Sequence, residues 1–206
     1  IRITKYDING NQQWNSTFGK NHSLETLGSM LDSVKQTSDG GYIIASSTRS
    51  KESNSDDIWL IKTDKYGKEQ WNKTFGGPTD DAAIAISLTP DNGYVLTGRY
   101  NDSFSYTVDG SAFILKTDSE GNQEWIKEFS NCTLYSVQQT SDGGYIAAGV
   151  KNKNAWLVKL AGDEKDVGNK VSSIEYNDNT DSIFNQIFNY IRHFTSGIKI
   201  LGSYPA

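Results

Sequence analysis

One spacing of basic and aromatic residues recurs along the chain, and it constrains the fold more than any other feature. A lysine that ends an apolar run is followed nine residues later by a tryptophan and four residues after that by a phenylalanine. The copies are Lys5, Trp14 and Phe18, then Lys62, Trp71 and Phe75, then Lys116, Trp125 and Phe129. Lys159 ends a similar apolar run without the later tryptophan. The chain is therefore an array of related units.

A second pattern lies between these copies. A branched aliphatic residue precedes a tyrosine by eight residues, and a turn sequence such as Ser-Asp-Gly-Gly separates them. The pairs are Val34 and Tyr42, Ile86 and Tyr94, and Val137 and Tyr145. The Asp-Gly and Asn-Gly pairs predict two-residue hairpin turns, and Asp-x-x-Gly runs such as 64–67 predict hairpins with a bulge. Units of about fifty residues with several short strands predict a β-propeller or a similar array.

We label the strands of one unit a to d in chain order. The patterns predict an all-β fold, a partial or incomplete ring of four-stranded antiparallel propeller blades in residues 1–161. They predict a partial blade in 1–19, complete blades in 31–77 and 84–130, and an incomplete blade in 134–161 that lacks strand d. A small residue four positions after each blade tyrosine suggests close packing of the neighbouring blade.

The composition changes after residue 161. Residues 162–206 are interpreted as a connector and a C-terminal amphipathic helix, and Val171–Tyr176 is a candidate for one further strand. The apolar stripe of the helix is formed by Ile183, Phe184, Ile187, Phe188, Ile191 and Phe194. Such a stripe must be buried. We expect it to dock on the flank or open end of the array, and the alternative is a membrane-surface or oligomer contact.

Loop lengths distinguish the two ends of each predicted blade. Turns of an antiparallel meander alternate between its ends, so the a–b and c–d turns share one end, and the b–c and d–a connections share the other. The first two spacings are constant among the internal copies, whereas the other two vary. Variable loops on a rigid scaffold are where binding residues usually lie. The candidate residues are Asp56, Asp57, Asp80, Asp81, Arg99, Tyr100, Asp102, Tyr106 and Asp109, and His22 lies in the same set of loops.

These loops predict a site for a polar or saccharide-like ligand, or for a partner protein. The alternative is that their side chains are solvated surface. The pairs 56–57 and 80–81 also suggest a glycosidase or a calcium site, because hard oxygen ligands suit Ca²⁺. Adjacent residues of a strand point to opposite faces, however, so a pair in sequence is not a pair in space. We therefore expect no catalytic residue and no bound metal.

The segments Lys62–Trp71, Lys116–Trp125 and Asp7–Trp14 resemble the repeats of quinoprotein-like β-propellers, whose blades end in an Asp, Gly, Trp run of this kind. With the Ser-Asp-Gly-Gly-Tyr-Ile strand, the chain is similar to propeller repeats of secreted or surface proteins of archaea and bacteria. The resemblance covers roughly residues 1–161 and implies a fold, not an activity. Quinoprotein dehydrogenases bind their cofactor with calcium, often beside a disulfide of adjacent cysteines. This chain has the single Cys132 and no matching ligand set, so no cofactor is expected.

Composition excludes several classes of function. With 20 basic and 25 acidic residues among 206, the chain carries a net charge of −5, which disfavours nucleic acid as a partner. No apolar run is long enough to span a membrane. The histidines, His22 and His193, lie in different modules, so a histidine triad or a multi-histidine zinc site is not expected.

The predicted blades are fewer than the four to eight of a closed propeller. Further blades outside this sequence, self-association or the C-terminal helix would cover the open ends, and we favour further blades. The preferred function is a non-catalytic binding or scaffold module of an extracellular or cell-surface protein, with a protein or glycan partner. The alternative is a carbohydrate-active hydrolase or lyase that uses loop carboxylates.

Overall fold

The computed structural model describes residues 1–19, 33–49, 54–100, 110–152, 154–162 and 171–176. These residues contain fourteen β-strands and no helix. The strands are β1 (Arg2–Tyr6), β2 (Gln12–Thr17), β3 (Ser33–Gln36), β4 (Tyr42–Arg49), β5 (Asp56–Thr63), β6 (Glu69–Phe75), β7 (Ala82–Leu88), β8 (Tyr94–Tyr100), β9 (Ser111–Thr117), β10 (Gln123–Ser130), β11 (Cys132–Gln139), β12 (Tyr145–Lys151), β13 (Asn154–Leu160) and β14 (Val171–Tyr176).

Within each sheet, strands that are consecutive in the chain pair in an antiparallel sense. Sheet I contains β3 to β6, sheet II contains β7 to β10, sheet III contains β11 to β14, and β1 and β2 form a separate pair. This confirms the all-β class and the four-stranded antiparallel sheets that the sequence predicts. Within the described ranges, no helix has the length and hydropathy that crossing a membrane would need.

The third sheet corrects the prediction for residues 134–161. Its strand d is not missing, because β14 pairs with β13 along its length, from Leu160 opposite Val171 to Ala155 opposite Tyr176. The candidate strand at 171–176 is thus confirmed. Sequence landmarks miss it because it carries no tryptophan. The predicted C-terminal helix lies outside the described residues.

The turns between the first and second strands of a sheet are three-residue loops, not the two-residue turns that the sequence predicts. In sheet I, the Thr37 amide donates to the Gly41 carbonyl and the Gly40 amide donates to the Thr37 carbonyl, both at 2.9 Å. Gly40 has a φ of +81°, a left-handed conformation that glycine adopts without strain. The Asp39 carboxylate accepts from the Gly41 amide at 3.0 Å and from the Thr37 hydroxyl at 2.5 Å. The aspartate therefore fixes the loop.

The turns between the third and fourth strands are also closed by an aspartate, as predicted. Asp64 Oδ1 accepts from the amides of Tyr66 and Lys68 at 2.8 and 2.9 Å. Asp7 and Asp118 accept from the amides of their own turns in the same way. These aspartates have a structural role.

Apolar side chains on both faces of the sheets hold them in a stack. The described clusters join β1 and β2 to sheet I, sheet I to sheet II, and sheet II to sheet III. Representative pairs within them are Phe18 and Ile61, Leu60 and Phe113, and Ile114 and Val158. Burial on both faces explains why the second and third strands contain continuous apolar runs, such as Ile58 to Ile61 in β5.

One aromatic contact recurs at all three junctions between neighbouring sheets. A tryptophan of the outer strand meets the tyrosine that begins the second strand of the next sheet. The ring centroids are 5.5 Å apart for Trp14 and Tyr42, 6.0 Å for Trp71 and Tyr94, and 5.0 Å for Trp125 and Tyr145. The recurring landmarks of the sequence are thus residues that join successive sheets.

Two of the three small residues that lie four positions after a tyrosine, Gly98 and Gly149, have a different cause from the one predicted. A Cβ atom at Gly98 would lie 1.9 Å from the Ala82 carbonyl oxygen, and one at Gly149 would lie 1.9 Å from the Thr133 carbonyl oxygen. Both carbonyls belong to the first strand of the same sheet, beside a shift in register. The bulged strand, rather than the neighbouring sheet, excludes a side chain here.

Candidate functional site

Two aspartate pairs meet where sheet I contacts sheet II. Asp56 and Asp57 begin β5, and Asp80 and Asp81 directly precede β7. The Asp56 amide donates to Asp80 Oδ1 at 2.8 Å, and the Asp81 amide donates to the Asp56 carbonyl at 2.6 Å. We call these four residues the acidic end. The structure therefore brings together four of the nine residues that the sequence selects, at one end of one junction.

Besides Asp80, which accepts from the Asp56 amide, two more of the four carboxylates have structural partners. Asp56 is buried and forms an ion pair with Arg49, whose Nη1 lies 3.5 Å from Asp56 Oδ1. Asp81 is 1% exposed, and its Oδ2 accepts from the Gly77 amide at 2.8 Å. The first contact joins β4 to the start of β5, and the second lies within the connection between β6 and β7.

Asp57 is different, because its buried Oδ1 atom has no hydrogen-bond partner among the described residues. A Cβ atom placed on Gly76 would lie 2.4 Å from Asp57 Oδ1 and 2.8 Å from Asp81 Oδ2. The carboxylates that approach each other are therefore Asp57 and Asp81, from different elements, and not two neighbours in sequence. This agrees with the alternation of side chains along a strand.

The surroundings of Asp57 in the acidic end disfavour its ionised form. Burial raises its pKa above the usual value of 3.8, and the neighbouring carboxylates, Asp81 most of all, raise it further. Like charges in a partly dry site disfavour each other's ionisation. A ligand that donates hydrogen bonds or carries positive charge would relieve this repulsion.

Arg99 and Tyr100 lie at the same end of sheet II. They end β8, and the register places Arg99 opposite Ala82, the residue after Asp81. Burial raises the pKa of the Tyr100 hydroxyl, and the carboxylates of Glu128 and Asp81 raise it further. Both side chains are half-buried. The remaining candidates, Asp102, Tyr106 and Asp109, and also His22, lie outside the described residues.

No metal centre is evident in the part of the chain that the structure describes. Within it, no three or more His, Cys, Asp or Glu side chains are grouped so as to hold a metal ion. The acidic end is thus a set of carboxylates held by backbone and arginine contacts.

The next junction provides an internal comparison. Between sheets II and III, Cys132 occupies the position of Asp81, and Ser111 occupies that of Asp57. The backbone bond is kept, because the Cys132 amide donates to the Gly110 carbonyl at 3.0 Å. Cys132 is fully buried, and burial raises the pKa of its thiol. Two sheets therefore join at this end without any carboxylate at those positions.

A further group of charged residues was not recognised from the sequence as interacting. The lysine one residue before the end of the third strand of each sheet donates to the aspartate of the first turn of the same sheet. The Nζ to carboxylate oxygen distances are 2.8 Å for Lys62 and Asp39, for Lys116 and Asp91, and for Lys159 and Asp142. The sequence signal that could have revealed these ion pairs is that the lysine and the turn aspartate recur together in all three units.

No protein-family model matches the chain, and no match was found among curated proteins.

Proposed function

We propose that this chain is a non-catalytic recognition module of an extracellular or cell-surface protein, built on a quinoprotein-like β-propeller. The observation that supports the proposal is the acidic end. There the buried Oδ1 atom of Asp57 has no hydrogen-bond partner among the described residues and lies among other carboxylates. The equivalent positions between sheets II and III hold serine and cysteine instead. Ionisable groups whose pKa values are shifted by burial and by neighbouring charges are commonly found at functional sites.

The propeller arrangement draws support from the contacts between the first strands of successive sheets. The Ile86 amide donates to Ser33 Oγ at 3.4 Å, and Ser87 Oγ donates to the Val137 carbonyl at 2.7 Å. Sheets arranged radially about an axis are expected to bring their first strands side by side, while the outer strand of each sheet contacts the second strand of the next sheet through its tryptophan.

The ligand expected at the acidic end is rich in hydrogen-bond donors. Carboxylates accept from sugar hydroxyls and from the basic side chains of a partner protein. The half-buried ring of Tyr100 adds an apolar surface beside them. A polyhydroxylated glycan or a basic protein segment fits this chemistry.

The test is binding to a glycan array and to a library of lysine-rich and arginine-rich peptides. The Asp57→Asn variant is expected to lose at least tenfold in affinity for any ligand found, because a charge-assisted hydrogen bond contributes roughly 1.5–3 kcal/mol. Glu120→Gln is the matched control, because Glu120 is an exposed carboxylate at the opposite end of sheet II. Equal binding by both variants would contradict the proposal.

The second candidate is a carbohydrate-active hydrolase or lyase. One observation favours it: the carboxyl group of Asp57 has a raised pKa and lies close to a second carboxylate, that of Asp81. Glycosidases use such a pair as acid and base or nucleophile. Release of reducing sugar ends from a glycan panel, lost in both Asp57→Asn and Asp81→Asn, would support this candidate over binding alone.

A further inference from the structure

Several triplets of the sequence have the Asn-x-Ser/Thr form that accepts N-linked glycans. They begin at Asn15, Asn21, Asn72, Asn101 and Asn131. Asn21 and Asn101 lie outside the described residues. The other three can be compared by the exposure of the asparagine, the exposure of the threonine that completes the triplet, and the contacts of the carboxamide. A glycan is bulky and belongs on the surface, so all three properties bear on its attachment.

The triplets at Asn131 and Asn72 are each unfavourable in one respect. Asn131 is exposed, but Thr133, whose hydroxyl completes its triplet, is only 9% exposed. Asn72 is exposed too, but its carboxamide is already engaged. Its Oδ1 accepts from Trp59 Nε1 at 3.2 Å, and its Nδ2 donates to Glu69 Oε1 at 2.6 Å. A sugar on Nδ2 would replace one of its hydrogens and crowd both partners.

Asn15 is favourable in all three respects. Asn15 and Thr17 are both exposed and lie on the same face of β2, because side chains two residues apart on a strand do so. The Asn15 carboxamide forms no hydrogen bond with another described residue. The equivalent residues of β6, Asn72 and Thr74, are also exposed, although the β1–β2 pair packs against that sheet. Exposure at these two positions is therefore a property of the outer strand.

A second observation concerns the charges of the outer strands. Among the described strands, β2, β6 and β10 each stand at the end of the pairing order, so one edge of each has unpaired backbone groups. Proteins commonly protect such edges from pairing with another chain by placing charged side chains on them. Glu69 and Lys73 lie on β6, and Glu124, Lys127 and Glu128 lie on β10. No charged residue lies on β2.

We infer that Asn15 is an N-glycosylation site and that its glycan protects the uncharged edge of β2. A chain of sugars is much larger than the spacing of about 4.8 Å between paired strands, so it obstructs the approach of another strand. Asn15 lies within β2 and not at its end, so the glycan covers the strand that lacks charge. The inference rests on the extracellular location in the proposed function and is independent of ligand binding at the acidic end.

The modification is a group transfer without oxidation or reduction. The donor is an oligosaccharide carried on a polyprenyl phosphate or pyrophosphate. The bond between the anomeric carbon of its first sugar and the phosphate oxygen breaks, and the electron pair leaves with the polyprenyl group. Asn15 Nδ2 forms the new bond to that carbon and gives up one proton to a base of the transferase. The hydroxyl of Thr17 completes the triplet that the transferase requires.

The experiment exports the chain from a host that glycosylates secreted proteins. A flexible C-terminal tag carries a reporter Asn-x-Thr triplet, and only molecules with an occupied reporter are scored by peptide mass spectrometry. Asn15 is expected to be occupied in most of these molecules and Asn72 in fewer. Thr17→Ala should abolish occupancy at Asn15 and leave the reporter unchanged. An empty Asn15, or occupancy no higher than that of Asn72, would overturn the site. Such a result leaves the acidic end unaffected, just as failed ligand binding there leaves Asn15 unaffected.

The protective role has its own test in unglycosylated protein made in a bacterial cytoplasm. Asn15→Lys places a charge on β2 and is expected to slow aggregation on mild heating by roughly threefold. Thr74→Lys is the matched control, because β6 already carries charges, and it should change the rate little. In the exported protein, enzymatic removal of the glycan from Asn15 should accelerate aggregation. Equal rates for Asn15→Lys, Thr74→Lys and the unchanged chain would overturn the protective role.

Discussion

The Nζ atom of Lys116 lies 2.8 Å from Asp91 Oδ2 and 2.9 Å from Glu124 Oε2. Lys116 is 1% exposed, so a buried ammonium group connects the first turn, the third strand and the fourth strand of sheet II. It also donates to the Thr117 carbonyl at 2.8 Å. An amine is favoured at this position because its three donors match three acceptors. The same position in sheets I and III is also lysine.

Replacing this lysine with methionine should destabilise the protein. Lys116→Met keeps the stem and removes the charged hydrogen bonds, so we expect a loss of about 2 kcal/mol in the free energy of unfolding. Urea denaturation with an unchanged slope would measure it. The exposed Lys68 offers the control, since Lys68→Met should change stability by less than about 0.5 kcal/mol. Equal effects at the two positions would contradict the role of Lys116.

The turn aspartates should make the free energy of unfolding decrease at acidic pH. The pKa values of Asp39, Asp91 and Asp142 are lowered from 3.8 to about 2. The hydrogen bond from Lys62 is the main cause of the lowered pKa of Asp39. Burial is the largest influence on the pKa values of Asp91 and Asp142 and raises them, but the hydrogen bonds from their lysine, threonine and glycine partners together outweigh it. Because the folded value lies below the unfolded value, this stability is present above pH 3.8 and is lost as the pH falls toward 2.

Urea unfolding at a series of pH values from about 5 down to about 2 tests this dependence. Asp39→Asn should flatten part of the curve, because asparagine does not titrate. Added salt should reduce the effect, since the Asp39 side chain is 51% exposed and its pair is partly screened. An unchanged slope in Asp39→Asn would show that other carboxyl groups cause the loss.

The contribution of Asp57 to stability should depend on pH in the opposite direction. Its pKa is raised by burial and by neighbouring carboxylates, so its ionisation in the folded state is unfavourable. Stability is therefore expected to decrease as the pH rises through 3.8 to the folded pKa of Asp57. Asp57→Asn should stabilise the protein at neutral pH while weakening ligand binding. Thermal midpoints measured at low and neutral pH would show the difference, and a destabilised variant at neutral pH would contradict the electrostatic account.

Two glycines allow the contact between a turn and a tryptophan to be measured. Gly121 and Gly10 both have positive φ, at +77° and +83°, so alanine costs about 1 kcal/mol of backbone strain at either position. A Cβ atom at Gly121 would also lie 2.7 Å from the Trp71 ring, whereas one at Gly10 meets nothing within 4 Å. Gly121→Ala should therefore lose about 1–3 kcal/mol more than Gly10→Ala. Equal losses in urea denaturation would contradict this contact.

Fixed spacing made the sheets predictable from the sequence. The intervals from lysine to tryptophan and from valine to tyrosine located the strands, because both residues of each interval sit at defined positions on neighbouring strands. For the same reason, the fourth strand of sheet III was recognised only as a candidate strand and was not assigned to its sheet. Val171–Tyr176 pairs through its backbone and carries no landmark tryptophan.

The site was predictable only in outline. Variation in loop length placed Asp57 and Asp81 at the same end of the sheets, but a spacing pattern cannot show that Asp57 approaches Asp81 rather than its neighbour Asp56. That outcome depends on the path of the Gly76–Gly77 connection. Likewise, the loop of Asp39 was recognised as a turn, but its link to Lys62 joins residues that are distant in sequence.

The three tryptophan–tyrosine contacts have a consequence for how the sheets could be recombined. Because Trp14, Trp71 and Trp125 all present the same ring to the same kind of tyrosine, the outer strand of one unit is chemically compatible with the inner strands of any other. Duplication or loss of one whole unit would leave matching surfaces on either side of the splice. An engineered chain in which one whole unit is duplicated or removed is therefore expected to keep the tryptophan–tyrosine contact at the splice.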